Sequence, residues 1–170
     1  PSKVVYDRKH SAFSEYDFSK TDVKKMLEGY TWLHLSGITP ALGTKCRDLI
    51  LNCLKAAKEM NMTVSFDGNF RSTLWTWEEA RDFCTLCLPY VNVLFGIEPY
   101  HIWKNEEDHS AGDVKDGIPF QPDFEQQEKV FRAFADRYPN IKCIARHVRF
   151  AHSCSENSLM AYLWLNGKTY

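Results

Sequence analysis

The chain has 170 residues, with 21 Lys and Arg against 22 Asp and Glu. The formal net charge is −1, so no broad basic field draws it to nucleic acid or to an anionic membrane. Hydrophobic residues make up 44% and charged residues 25%, ordinary for a globular domain with a real core, and no apolar run reaches membrane-spanning length.

In chain order, Val4-Val5-Tyr6 is a strand fragment that opens into Asp7-Arg8-Lys9-His10. Residues 11–16 and 22–28 read as short helices, the second stopped by Gly29. Trp32-Leu33-His34-Leu35 reads as a strand ending at Ser36-Gly37, with His34 expected to be a satisfied core histidine. A helix is predicted over 44–60, its stripe made by Cys46, Leu49, Ile50, Cys53, Leu54 and Ala57.

Val64-Ser65-Phe66 is an apolar run read as a buried strand. It opens into Asp67-Gly68-Asn69, which stop a strand, and then Arg71, a fork of donors suited to carboxylate or phosphate. Thr76 with Glu79 forms a capping box for a helix that Pro89 ends. Trp75 and Trp77 are expected to pack around its start. Residues 91–95 make a third strand.

From 96 to 122 the periodicity fades, and residues 106–117 are expected to be mobile. His101, Glu106, Glu107, Asp108 and His109 match no standard zinc spacing, so a solvated loop is the favoured reading. Asp123, with Gln126, is expected to cap a helix whose buried side carries Phe124, Phe131, Phe134 and Tyr138. Residues 141–145 and 159–165 read as strands, and Asn166-Gly167 is a two-residue hairpin signal.

Strands alternating with helices predict a mainly parallel sheet with helices on both faces, made mixed by the final hairpin. Of the six cysteines, the Cys84/Cys87 pair could carry redox or metal chemistry. Both fall on one stripe with Ala80, Phe83 and Leu88, which favours a core role, and the cysteine usage fits a cytoplasmic setting. The first residue is Pro1 and the hairpin's return strand reaches only Tyr170, so the chain reads as one partial domain over 1–170, truncated at both ends. No Walker, dinucleotide-fingerprint or hydrolase-elbow pattern occurs.

Three polar clusters fall at strand ends: Tyr6-Asp7-Arg8, Ser36-Gly37-Ile38-Thr39 and Asp67-Gly68-Asn69-Phe70-Arg71. Two arginines and a tyrosine suit a small, anionic, hydroxyl-rich ligand. These segments resemble the 2-keto-3-deoxygluconate kinases, a branch of the ribokinase-like (PfkB) sugar kinases. The resemblance lies in Tyr6-Asp7-Arg8-Lys9-His10-Ser11-Ala12, Ser36-Gly37-Ile38-Thr39-Pro40-Ala41-Leu42 and Asp67-Gly68-Asn69-Phe70-Arg71-Ser72-Thr73-Leu74-Trp75. The closing run with Arg149, Ser153, Asn157 and Ala161-Tyr162-Leu163-Trp164 is also similar.

That resemblance implies a three-layer α/β/α fold and transfer of phosphate from ATP, with Mg2+, to the terminal hydroxyl of 2-keto-3-deoxygluconate. Small molecules, the sugar acid and ATP, are the implied partners, and the full-length protein is expected to be a homo-oligomer. Tyr6 and Arg8 would contact the sugar acid, Arg8 at its carboxylate. Ile38 would lie against the sugar through its backbone, and Arg71 would reach the acid or the transferred phosphoryl group. Asn69 would sit near the phosphates.

The family's Gly-Ala-Gly-Asp segment with its catalytic Asp is absent and would lie beyond Tyr170. Its Asn-x-x-Glu magnesium-associated motif is replaced by Gly96-Ile97-Glu98-Pro99-Tyr100, where Glu98 stands as a substitute for handling the nucleotide. A non-catalytic sugar-acid-binding module on the same fold, or a related kinase with another substrate, remains the alternative.

Overall fold

The computed structural model describes residues 8, 10–100, 124–151 and 156–170, with backbone alone for 149–151. Helices α1 (Ala12–Glu15) and α2 (Val23–Leu27) lead into strand β1 (Trp32–Ser36). Helix α3 (Thr44–Glu59), β2 (Thr63–Asp67), α4 (Trp77–Cys87), β3 (Val93–Phe95), α5 (Phe124–Arg137), β4 (Cys143–Ala151), β5 (Asn157–Leu165) and β6 (Lys168–Thr169) follow. The strands form one six-stranded sheet in the order β1-β2-β3-β4-β5-β6. β1 to β4 pair in parallel, and β5 and β6 are added antiparallel.

The local signals hold where they are strongest. On α3, Cys46, Leu54 and Ala57 are fully buried and Ile50 and Cys53 nearly so, which is the expected stripe. α4 begins with its capping box: Glu79 N donates to Thr76 Oγ1 at 3.2 Å, and Thr76 N donates to Glu79 Oε2 at 3.1 Å. Asn166 and Gly167 both have positive φ, 48° and 89°, the backbone of a type I′ hairpin turn.

β3 starts two residues later than expected. Asn92 is used as a clamp: its Oδ1 accepts from Val64 N at 2.8 Å and its Nδ2 donates to Asn140 O at 3.3 Å. Asn140 in turn donates to Leu88 O and Val91 O. The two asparagines thereby satisfy backbone groups where strands and the preceding turn part company.

Successive parallel strands that advance in one direction need crossovers of one hand, and right-handed crossovers then place every helix on the same face. The core accordingly lies between α3, α4 and α5 and the side of the sheet carrying Val64, Phe66, Leu94, Ile144 and Trp164. Among the described residues no helix covers the other face, where Trp32, Phe95, Leu163 and Leu165 are each at least a third exposed. The mostly parallel sheet with its C-terminal antiparallel hairpin is the expected one, and the described residues build that sheet and one of its helical layers.

The structure corrects His34, which alternation along β1 turns to the uncovered face rather than into the core. Its Nδ1 lies 2.8 Å from Ser65 Oγ, which also accepts from Trp32 Nε1 at 2.9 Å. Phe124 is a further correction. At the first residue of α5 it projects past the core and is 45% exposed, while Gln127, Val130, Phe131 and Phe134 form the buried side. Trp75 is buried, and Trp77, partly exposed, packs edge-on against Phe70 with ring centroids 5.0 Å apart.

The expected mobile segment 106–117, the acidic and histidine cluster at 101–109 and the Asp123 cap lie outside the described residues. No helix among the described residues is long and apolar enough to cross a membrane.

Candidate functional site

Parallel pairing brings the C-terminal ends of β1, β2 and β3 to one edge, the usual place for a ligand in an open α/β sheet. The ends are in direct contact. Gly37 N donates to Asp67 O at 2.7 Å. A Cβ on Gly68 would come within 2.5 Å of Glu98 O, 3.0 Å of Tyr100 Oη and 3.1 Å of Pro99 Cδ. Gly68 is therefore a requirement of packing: the turn after β2 fits under the loop after β3 because it has no side chain.

Asn69 adopts φ 40°, a left-handed conformation that asparagine tolerates. Its N donates to Asp67 Oδ1 at 2.9 Å, and its Nδ2 donates to Ser36 Oγ at 3.2 Å. Ser36 Oγ also accepts from Ile38 N at 3.3 Å, so one hydroxyl ties the two strand ends together. Ile38 is half-buried beside it.

On the same side lies a cavity of about 290 Å3. Arg8, His10 and Glu15 line it from the N-terminal segment, Ala41 and Leu42 from the turn after β1, and Leu74 from the turn after β2. Three stretches widely separated in sequence thus meet around one hollow. His10 Nδ1 lies 3.1 Å from Glu15 Oε1 at its rim, both side chains well exposed. Arg71 is exposed and folds back, Nη1 donating to its own neighbour Phe70 O at 3.1 Å, and it does not line this cavity. Tyr6 lies outside the described residues.

A larger cavity of about 380 Å3 is lined by Asp17, Lys45, Asp48 and Lys55 with parts of α3. It draws on no strand end and its charges are of both signs, so the smaller hollow is the better candidate.

The loop after β3 holds what the sequence reading missed. Arg146, the residue after the parallel part of β4, is only 7% exposed. Its Nη2 donates to Glu98 Oε1 at 2.7 Å and its Nη1 donates to Gln127 Oε1 at 2.5 Å. Gln127 itself is 1% exposed. A buried guanidinium needs partners, and the pair of acceptors supplies them from a loop and a helix. The signal that could have revealed it was an arginine at an inward position of β4, between Ile144 and Val148, with a glutamine on an apolar helix stripe.

Tyr100 is nearly buried with no described partner for its hydroxyl. Burial holds its phenol well above the usual range, and the neighbouring Cys84, Cys87, Asp67 and Glu98 add to this, so it stays protonated. Cys84 and Cys87 are fully buried, and burial pushes the Cys84 thiol up to about 12. The pair is core packing, as the stripe implied.

Among the described residues no three His, Cys, Asp or Glu side chains come together as a metal site. Glu98 spends one oxygen on Arg146, and its Oε2 accepts from Ile97 N at 3.3 Å. These residues do not form a protein cage for Mg2+.

No family model matches the chain. The chain is 37% identical over 98 residues to a Haloferax volcanii protein named 2-dehydro-3-deoxygalactonokinase, a match covering 58% of this chain and 30% of that one. Its fold is similar to the crystal structure of a 2-dehydro-3-deoxygluconokinase from Thermotoga maritima, with a TM-score of 0.79, 35% identity, and coverage of 100% of this chain and 48% of that one. A PfkB family carbohydrate kinase from Listeria grayi gives a TM-score of 0.76 at 28% identity, covering 99% of this chain and 48% of that one. The chain spans about half the length of these solved relatives, and less of the curated one. In sequence and in fold, this chain matches about half of a PfkB-family carbohydrate kinase.

Proposed function

We propose that the complete gene product containing this chain transfers a phosphoryl group from ATP to the terminal hydroxyl of a 2-keto-3-deoxy sugar acid, 2-keto-3-deoxygluconate being the preferred substrate. The observation that carries this reading is the cavity that unites Arg8, the Ala41-Leu42 turn and Leu74. It is small, partly apolar and holds a guanidinium, as a sugar acid requires. The relatives' names point to the same class of substrate but to two different sugars, so the choice of epimer rests on experiment.

Phosphoryl transfer needs positioning, charge stabilisation and a base near the attacking hydroxyl. Arg8 binds the carboxylate and Tyr6 lies against the sugar. Ile38 packs against it from the β1 turn, and Arg71 swings from its resting contact with Phe70 O toward the acid or the transferred group. The Gly68-Asn69 turn and Glu98 face the nucleotide phosphates. Mg2+ would arrive with the nucleotide, since it needs few protein ligands, and would neutralise charge on the phosphates. The family resemblance assigns the base to a Gly-Ala-Gly-Asp segment that is not among these 170 residues; Glu15, which lines the cavity, is engaged by His10.

The test is turnover of 2-keto-3-deoxygluconate and its galacto epimer by the complete gene product, with and without Arg8→Met. Methionine keeps much of the stem and deletes the fork. Loss of about 2–3 kcal/mol for a hydrogen bond to a charged group predicts a fall in kcat/KM of roughly 30- to 160-fold, with the KM for ATP unchanged. The 170-residue chain alone should show no turnover. Absence of turnover of either acid by the complete protein would refute the kinase reading, and weakening of ATP and sugar alike would make Arg8 structural.

A further inference from the structure

We propose that Arg146 is a positioning residue for the phosphoryl transfer: through its ion pair with Glu98 it fixes the loop after β3 against the Gly68-Asn69 turn, and so sets where the nucleotide phosphates lie. The inference rests on the kinase reading above and adds to it a residue that contacts neither substrate.

The chain of contacts is short and continuous. Gln127 on α5 and Arg146 on β4 are both buried and joined by a hydrogen bond. Arg146 holds Glu98 at 2.7 Å, and the Glu98 side chain remains 39% exposed, facing the edge of the sheet. The backbone oxygen of Glu98 sits where Gly68 leaves no room for a Cβ. Gly68 precedes Asn69, whose left-handed backbone and two hydrogen bonds to Asp67 and Ser36 admit little freedom. A shift of Glu98 therefore moves the turn that bears Asn69, because close-packed backbone transmits displacement rather than absorbing it.

The chemistry of Arg146 fits this role better than a role in binding phosphate directly. Both terminal guanidinium nitrogens already have acceptors, one of them the neutral amide of Gln127. Breaking a buried pair by removing one member leaves the other uncompensated. Arg146 thus orients Glu98 as a fixed carboxylate whose charge is balanced from behind.

The experiment compares Arg146→Met, Arg146→Lys and Glu98→Gln in the complete gene product, assayed well below each variant's melting temperature. Steady-state kinetics is read together with amide hydrogen exchange over residues 67–70. Arg146→Met should lower kcat by about ten- to a hundredfold, the effect of a sub-ångström to ångström misplacement, with the KM for the sugar acid held within about twofold. Exchange at Gly68 and Asn69 should quicken in the same variant. Arg146→Lys keeps the charge but loses the fork, so it should fall between wild type and Arg146→Met.

Adding Glu98→Gln to Arg146→Met should cost no more than about twofold further, because residues that act as a unit are not additive. A merely structural arginine would lower the melting temperature while leaving kcat and exchange at the turn unchanged, and that result overturns the proposal. Additive losses in the double variant also overturn it. A wild-type protein without kinase turnover is a different outcome, which removes the kinase reading and this inference with it.

Discussion

Gly37→Ala is the sharpest test of how the candidate site is built. Gly37 is buried and lacks the positive φ that would explain its choice. Its reason is steric: a Cβ there would overlap the carbonyl oxygen of Gly68 outright and stand 2.9 Å from the carbonyl carbon. Both are backbone atoms that no rotamer change can move, so alanine must prise the ends of β1 and β2 apart. Overpacking of this kind costs about 1–3 kcal/mol. Loss or stretching of the 2.7 Å bond from Gly37 N to Asp67 O adds about 1 kcal/mol.

The sum is roughly 2–4 kcal/mol, which for a chain of this size is a fall of about 4–16 °C in melting temperature. Urea unfolding read by tryptophan fluorescence measures it, since Trp75 and Trp164 are buried. Gly29→Ala is the control: a Cβ there meets nothing within 4 Å, so only its φ of 83° counts, and the cost is about 1–2 kcal/mol. A Gly37→Ala midpoint equal to wild type with unchanged slope would refute the contact between the two strand ends on which the site rests.

Other outcomes follow from single features. Thr76→Ala removes one half of the α4 capping box and should cost about 1 kcal/mol in the same unfolding assay. Cys84 and Cys87 should resist a thiol reagent at pH 8 in the native state and react fully only in denaturant, as measured by absorbance of the released label. Because the folded-state pKa of Cys84 is raised from about 9 to about 12, the unfolded chain loses this proton first as the solution becomes alkaline. Its contribution to stability is complete below pH 9 and lost progressively as pH rises toward 12, which unfolding midpoints at pH 8, 9 and 10 will track. Arg71→Ala should leave stability within about 0.5 kcal/mol of wild type, since its side chain is exposed and, among the described residues, hydrogen-bonds to its neighbour's carbonyl.

Much of the architecture is written locally. The stripe on α3, the Thr76–Glu79 box, the Asn166-Gly167 turn and the polar endings of β1 and β2 are patterns a few residues long, each stabilised by contacts within one element or turn, so the sequence alone determined them. It also placed two clusters at the edge of a parallel sheet, because strands that alternate with helices must deliver their C-terminal ends together.

What the tertiary structure alone decided depends on partners far apart in the chain. Which face of β1 is covered is set by the direction in which the strand order advances, and that direction turned His34 outward. Whether Phe124 is buried depends on where α5 begins relative to the sheet. Arg146 finds Glu98 48 positions and Gln127 19 positions away, on a loop and a helix. Its inward side chain is tolerable because both acceptors arrive, and no periodicity within β4 carries that information. The need for glycine at Gly37 and Gly68 likewise arises from the approach of another backbone, not from any turn of their own.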